Sequence, residues 1–363
     1  MAIPYSLYVD LPLRQMRASY ENLGLHGLSK TIMELERTHA ISPNTSRILD
    51  SEDYEGNAEF LLAQISPEML TSIFSNTLPA DVEAGLVLER WATISPHPQH
   101  KDTLEPGIYA NYLAPADGSA LTLAECQRFL DGLEAAVFGR LMNDQTNISQ
   151  LTDNHYRREY GNGQRTLLHD IRGPNLTAAL DTFTRINKAR LQDAQSQNAT
   201  HITLHGDCGW ATNVHDRCRQ HKTLVSSPAL FRLANCVLTV LFPLKQFKMH
   251  HFCLFRVFKS EQAGIGESIG SHLVTSYSTY GGFNFAQAGI SVSKAKELTG
   301  NGWMTVSDRY AGLLDKIATK LDDEYNTLIS QAEHEEVSLF SHQFRCATSR
   351  MLEHDGSHRL LNT

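Results

Sequence analysis

The chain has 363 residues, of which 41% are apolar and 20% charged, and its formal net charge is −8. That composition excludes a disordered chain and is enough for one large core or two ordinary ones. The acidic balance, with no run of five or six Lys/Arg, argues against a free-standing DNA nuclease, because phosphate neutralisation supplies most of the affinity for duplex DNA.

Leu11 to about Ala40 has apolar residues at helical spacing, with Leu23, Leu25, Leu28, Ile32, Met33 and Leu35 near one face. Pro67 opens a second helical stretch through Met69, Leu70, Ile73 and Phe74, and Leu78-Pro79 reads as a break. Residues 1–102 are therefore expected to form a helical N-terminal region. Gly107 to Leu113 alternates as a strand, and Ala116-Asp117-Gly118 is a turn signal. Thr122-Leu123-Ala124-Glu125 is a capping box that opens a helix to about Leu141. Residues 143 to 200 are polar and helix-prone, with a turn at Gly173-Pro174, so about 115–200 reads as an insertion.

A second strand is expected at His201–Leu204 and a short helix at Val214–His221. Two apolar runs, Leu233–Leu241 and Phe252–Phe258, read as strands. Glu267–Tyr277 reads as a helix and Val306–Glu336 as one long amphipathic helix. The expected fold class is α+β: a small central sheet flanked by helices, with a core at 103–300 and a helical C-terminal region at 301–363.

Cys126, Cys208, Cys218, Cys236, Cys253 and Cys346 form no C-x-x-C pair, which predicts free thiols in a reducing compartment. Met1–Leu13 lacks the basic start and apolar run of a signal peptide. The most apolar stretch, Leu233–Leu244, is too short to span a bilayer and contains Pro243. A cytoplasmic chain with no membrane partner is expected. No G-x-S-x-G, P-loop or dinucleotide fingerprint is present. His250 and His251 should lie on opposite faces of a strand, which disfavours a zinc site there.

One ordered set of residues carries chemistry. Gly107-Ile108-Tyr109 is followed, far downstream, by Gly209, by Arg217 eight residues later and by His221 four residues after that. Glu267 and Asn284 follow, the latter preceded by Gly281-Gly282-Phe283. Arg217 and His221 share one helix face at that spacing. An Arg there can neutralise charge growing on a tetrahedral oxyanion. Taken singly these residues are ordinary: an R-x-x-x-H pair is usually a solvated face, and Glu267 an exposed helix residue. The ordered set resembles the GIY-YIG nuclease-type superfamily over residues of about 105–290.

The resemblance implies that Tyr109, Arg217, His221, Glu267 and Asn284 are catalytic, with Glu267 holding a divalent ion in a nuclease. Tyr109 would orient or deprotonate a nucleophile if the cation and Arg217 lower its pKa. Asp207 departs from the pattern, standing where the family keeps the tyrosine of its second signature. It is a base, a grip for a cationic substrate group, or a turn residue after Gly206. The distance from Tyr109 to Asp207 is also long for the family. Within the intervening insertion, Arg157, Arg158 and Arg165 belong to the densest cationic stretch. Its readings are RNA-backbone contact and a solvated helical surface.

Within that superfamily the general layout resembles the fungal arginine-containing cyclodipeptide synthases. That resemblance implies arginyl-tRNA and a second aminoacyl-tRNA as partners and no cofactor. Asp207, Gly209 and the insertion arginines would then bind substrate. The alternative is a metal-dependent endonuclease acting on DNA or RNA, with Mg²⁺ or another divalent ion; DNA is the less favoured partner. A catalytically dead scaffold is disfavoured, because it has no reason to keep the polar set together.

Overall fold

The structure is a computed structural model that describes residues 5–39, 53–87, 104–142, 144, 146–160, 166–171, 174–224, 227–286, 288–289 and 292–334. Among the described residues four helices come first: α1 (Leu11–His39), α2 (Tyr54–Leu62), α3 (Pro67–Phe74) and α4 (Leu78–Glu83). α1 kinks at Leu23–Gly24, which leaves Leu23 exposed while Leu25, Leu28 and Ile32 stay buried. Leu78-Pro79 starts α4 instead of breaking one. Pro79 occupies its first turn, where a missing N–H has no helical partner to lose.

Strand β1 (Gly107–Ala114) follows, buried at all eight residues. β2 (Leu121–Thr122) leads into α5 (Leu123–Phe138), opened by the expected capping box and closed by Gly139 in the left-handed region. The insertion continues as α6 (Ile148–Glu159), α7 (Leu167–Ile171) and α8 (Pro174–Ser196). Gly173 lies outside the described residues.

The strand expected at His201–Leu204 forms over its first two residues. Only β3 (His201–Ile202) pairs there, and it pairs with β2. The next segment serves as an anchor: Thr203 accepts from Arg190 at 3.2 Å and donates to Asn76 at 3.0 Å. The core strand is β4 (Asp207–Ala211). α9 (Val214–Lys222) follows.

Leu233–Leu241 forms no strand. It belongs to α10 (Ala229–Leu241), which is buried at Leu230, Phe231 and every position from Leu233 to Leu238. The apolar positions do recur at helical spacing, at Leu230, Leu233, Ala234, Val237 and Leu241, but a dense apolar run starting at Leu233 reads equally well as a core strand. β5 (Lys248–Arg256) is the remaining core strand. α11 (Ser260–Leu273) begins earlier than expected and ends before Tyr277. After α12 (Ser293–Glu297), the long C-terminal helix proves to be two, α13 (Gly300–Arg309) and α14 (Ala311–His334). At the joint, Tyr310 leaves the helical conformation and its hydroxyl donates to the buried Glu105. Residues beyond His334, Cys346 among them, lie outside the described set.

The class is α+β, largely helical, with a small antiparallel sheet of order β4-β1-β5. One sheet face, Ile108, Ala110 and Tyr112, packs into a core shared with α1–α3, α11 and Ile317 of α14. α11 approaches closely because it presents glycine: a Cβ at Gly270 would lie 2.8 Å from Ile108 Cγ2. A second core fills the insertion bundle with Phe129, Leu133, Phe183, Phe231 and Val237. A small cluster of Tyr109, Ala211, Val214, Cys218 and Cys253 lies under α9 on the other sheet face. No helix among the described residues is long and apolar enough to cross a membrane.

Candidate functional site

The α9 face of the sheet is built by alternation. Tyr109 and Asn111 are two apart on β1 and share a face. Register places Tyr109 between Gly209 of β4 and Cys253 of β5, and Asn111 between Asp207 and His251. Asn111 Nδ2 donates to Asp207 Oδ2 at 3.1 Å, and Asn111 Oδ1 lies 2.8 Å from His251 Nδ1. An amide that donates to a carboxylate turns its oxygen the other way, so His251 carries its proton on Nδ1. His251 Nε2 is buried and has no hydrogen-bond partner among the described residues.

α9 crosses this face. Its N-cap, Asn213, accepts from the Asp216 amide at 3.0 Å. One turn apart, Arg217 and His221 reach the same oxygen. Arg217 Nε donates to the Tyr109 hydroxyl at 3.3 Å, and His221 Nε2 lies 3.1 Å from it. On the far side of the ring His221 Nδ1 lies 2.9 Å from Ser227 Oγ, and Ser227 Oγ donates to the His221 carbonyl at 3.4 Å. A serine proton directed to that carbonyl leaves its oxygen to accept Nδ1–H. His221 Nε2 is then bare and accepts the Tyr109 O–H.

Electrostatics set the protonation states. Burial holds the Tyr109 hydroxyl well above the ordinary phenol range; the Asp207 charge adds to this, and Arg217 opposes it without prevailing. The expected lowering of the Tyr109 pKa is therefore overturned, because desolvation outweighs the nearby cation. Tyr109 stays a neutral O–H. Burial, Arg217 and His251 push His221 down to about 3. Burial raises Asp207 to about 6, against the Asn111 hydrogen bond and Arg217.

Glu267 and Asn284 approach from the other side of β4. Glu267 Oε2 accepts the Gly289 amide at 2.7 Å. Burial lifts its carboxyl to about 7, with the Asp207 charge in the same direction and the amides of Gly289 and Trp210 opposing. Glu267 keeps part of its surface open to solvent, but most of its surroundings are protein, and these govern the proton. Asn284 Nδ2 donates to the Cys208 carbonyl at 2.8 Å and to Ser276 Oγ at 3.1 Å, which fixes the strand beside Asp207.

Tyr109, Arg217 and His221 thus touch, Gly209 faces Tyr109, and Asp207 lies on the same face within electrostatic range of Tyr109, Arg217 and Glu267. Arg157 and Arg158 stand on the exposed face of α6, which packs on α5, α7 and α10, and Arg158 pairs with Glu159 at 2.6 Å. Arg165 lies outside the described residues. The groove beside α5, lined by Arg128, Glu134 and Arg140, includes none of the cluster. Among the described residues no group of three His, Cys, Asp or Glu side chains could hold a metal ion.

Sequence reasoning missed three members. Asn111 was within reach, two residues from Tyr109 on a predicted strand. His251 stood out only as a disfavoured zinc ligand beside His250, and Ser227 gave no local signal. Chemically, the cluster offers Arg217 N–H groups to a developing oxyanion, joined by the Tyr109 O–H when it turns from His221, beside two neutral imidazoles. Comparison with models of protein families, with curated proteins and with solved structures found no match in any of the three.

Proposed function

We propose that this chain is a tRNA-dependent cyclodipeptide synthase on a repurposed GIY-YIG-type core. It would join arginine from arginyl-tRNA with a second tRNA-borne amino acid into a cyclo-Arg-Xaa diketopiperazine. The supporting observation is that Tyr109 is kept as a neutral hydroxyl between Arg217 and His221, across the sheet face from a buried acid, Asp207. A tyrosine that activates water as a base must first lose its own proton, whereas a neutral tyrosine can only donate, and an acyl transfer uses such a donor at the carbonyl oxygen. The attacking amine is already a nucleophile, and the ester already stores the free energy, so neither metal nor ATP enters. Arg217 and Tyr109 would steady the oxyanion. Asp207 would pair with the substrate guanidinium, which matches a carboxylate bidentately. Exposed cations on α9 and α6, among them Arg219, Lys222 and Arg157, would serve the RNA backbone.

The second reading is a metal-dependent endonuclease, favoured by the joint contact of Arg217 and His221 on Tyr109. Its ion would need Glu267. That carboxyl fits an ion poorly, because it already accepts backbone amides and holds its proton to about 7. The test is purified protein with arginyl-tRNA, a second charged tRNA and EDTA, read by mass spectrometry, beside labelled DNA and RNA with Mg²⁺. EDTA-resistant diketopiperazine without strand cutting is the expected result. Metal-dependent cutting without diketopiperazine would sink the synthase reading.

A further inference from the structure

Both histidines on the α9 face are held in one tautomer by a neighbouring oxygen, Ser227 Oγ for His221 and Asn111 Oδ1 for His251. The freed Nε2 of His221 meets the Tyr109 hydroxyl. The freed Nε2 of His251 is buried and meets no donor among the described residues. A buried acceptor left so is costly, and it calls for a partner supplied from elsewhere. Behind the ring, Asn111 and Asp207 continue one cross-strand row of the sheet. The carboxylate fixes which way the amide points, and the amide fixes the ring. A base oriented by a third group through such a chain is the general arrangement of activated sites.

We propose that His251 is the general base of this site: its Nε2 takes a proton from the attacking amine, and Asn111 and Asp207 are its positioning residues. The proposal rests on the synthase reading. In the transfer, the amine nitrogen of one aminoacyl ester bonds to the carbonyl carbon of the other, and the carbon–oxygen bond to the ribose breaks. The nitrogen loses one proton to His251, and the ribose oxygen gains one. The imidazolium proton therefore leaves with the product alcohol, and the ring returns to its neutral form. The charged and titratable groups around the ring are Lys222 and His221 from α9, His250 on its own strand, and Asp207 beyond Asn111. Burial first, then Lys222 and His250, hold His251 down to about 4, so the ring is free to accept at neutral pH.

His251→Asn places an amide nitrogen near the position of Nδ1, keeping a donor for Asn111, and deletes Nε2. In the diketopiperazine assay it should lower kcat on the order of 10²-fold or more, the usual contribution of a general base, with KM for each charged tRNA little changed. A histidine that only holds Asn111 in place would not respond in this way. Nitrogen-15 NMR of the intact wild-type chain, labelled at histidine, should show His251 protonated on Nδ1, and Asn111→Ala should shift that signature. A wild type that makes product beside a His251→Asn variant of near-wild-type turnover overturns the proposal and leaves the synthase reading standing. A wild type that makes no diketopiperazine overturns both. If His251→Asn does not fold, the NMR decides: a wild-type ring protonated on Nε2 overturns the proposal.

Discussion

Gly209 lies directly opposite Tyr109 in the sheet, and a Cβ at residue 209 would stand 2.5 Å from the Tyr109 hydroxyl oxygen. No real Cβ contact is that short, so any side chain there must push the ring off Arg217 and His221. Gly209→Ala should cost roughly 1–3 kcal/mol of stability as overpacking. It should also lower turnover on the order of 10²-fold, the usual effect of displacing a reacting group by about 1 Å. Gly312→Ala, whose Cβ would meet nothing within 4 Å, is the matched control and should leave turnover unchanged. Equal turnover in both variants would remove Tyr109 from the chemistry.

The capping box gives a test of the fold that is independent of function. Thr122 Oγ1 accepts from the Glu125 amide at 3.2 Å, and Glu125 Oε2 accepts from the Thr122 amide at 2.9 Å. Thr122→Ala should cost about 1 kcal/mol in urea denaturation, and Thr122→Ser should retain most of it.

The parts of the fold legible in the sequence were those written locally. The capping box, the alternation of β1 and the one-turn spacing of Arg217 and His221 all follow from residues within a few positions of each other. β4 was not foreseen because Asp207-Cys208-Gly209-Trp210-Ala211 has little strand propensity of its own. Its pairing with β1 decides its conformation, as tertiary context often does for strands. α10 reads as a strand only when the apolar run is taken from Leu233; the helical spacing becomes visible when Leu230 is included. The place of His251 in the cluster could not be read, because it comes from Asn111, 140 positions earlier in the chain. The protonation state of Tyr109 was equally hidden: the sequence supplies the cation, but only packing supplies the desolvation that outweighs it.

A buried ion cluster predicts the acid response. Arg190 makes two bonds to Asp10, Nε to Oδ1 at 2.8 Å and Nη2 to Oδ2 at 2.9 Å, and His205 Nε2 lies 2.7 Å from Oδ2. The pairing with Arg190 and then His205 overcomes burial and holds the Asp10 carboxyl well below the ordinary range. Burial, with Arg190, holds His205 below its ordinary value, so the unfolded chain binds protons more readily at both groups. Stability from His205 should be present above the ordinary imidazole range, near 6.5, and fall below it. Stability from Asp10 should be present above about 3.9 and be lost as pH falls further. Asp10→Asn strands a buried guanidinium and should cost roughly 3–5 kcal/mol at neutral pH. It should also flatten the loss below pH 4, measured by urea titration across pH. A variant as stable as the wild type would mean that Arg190 finds another partner.

Asp207 separates the readings of the site most directly. Its Oδ2 is engaged by Asn111, and its carboxyl sits at about 6 because it is buried. If this carboxyl pairs with the arginine side chain of one substrate, Asp207→Asn should raise KM for arginyl-tRNA by the loss of a buried charge-assisted contact, roughly 2–5 kcal/mol. KM for the second charged tRNA should change little. The sign of the pH dependence follows: the pairing needs the ionised form, so in the wild type arginyl-tRNA affinity should be full above about 6 and weaken as pH falls through that value. Binding of the guanidinium favours the carboxylate and would move the midpoint lower at saturation. The variant should show no such step. A fall in kcat shared by both substrates, with KM unmoved, would assign Asp207 to holding Asn111 and His251 alone. An Asp207→Asn chain that still prefers arginyl-tRNA as the wild type does would place the arginine pocket elsewhere in the molecule.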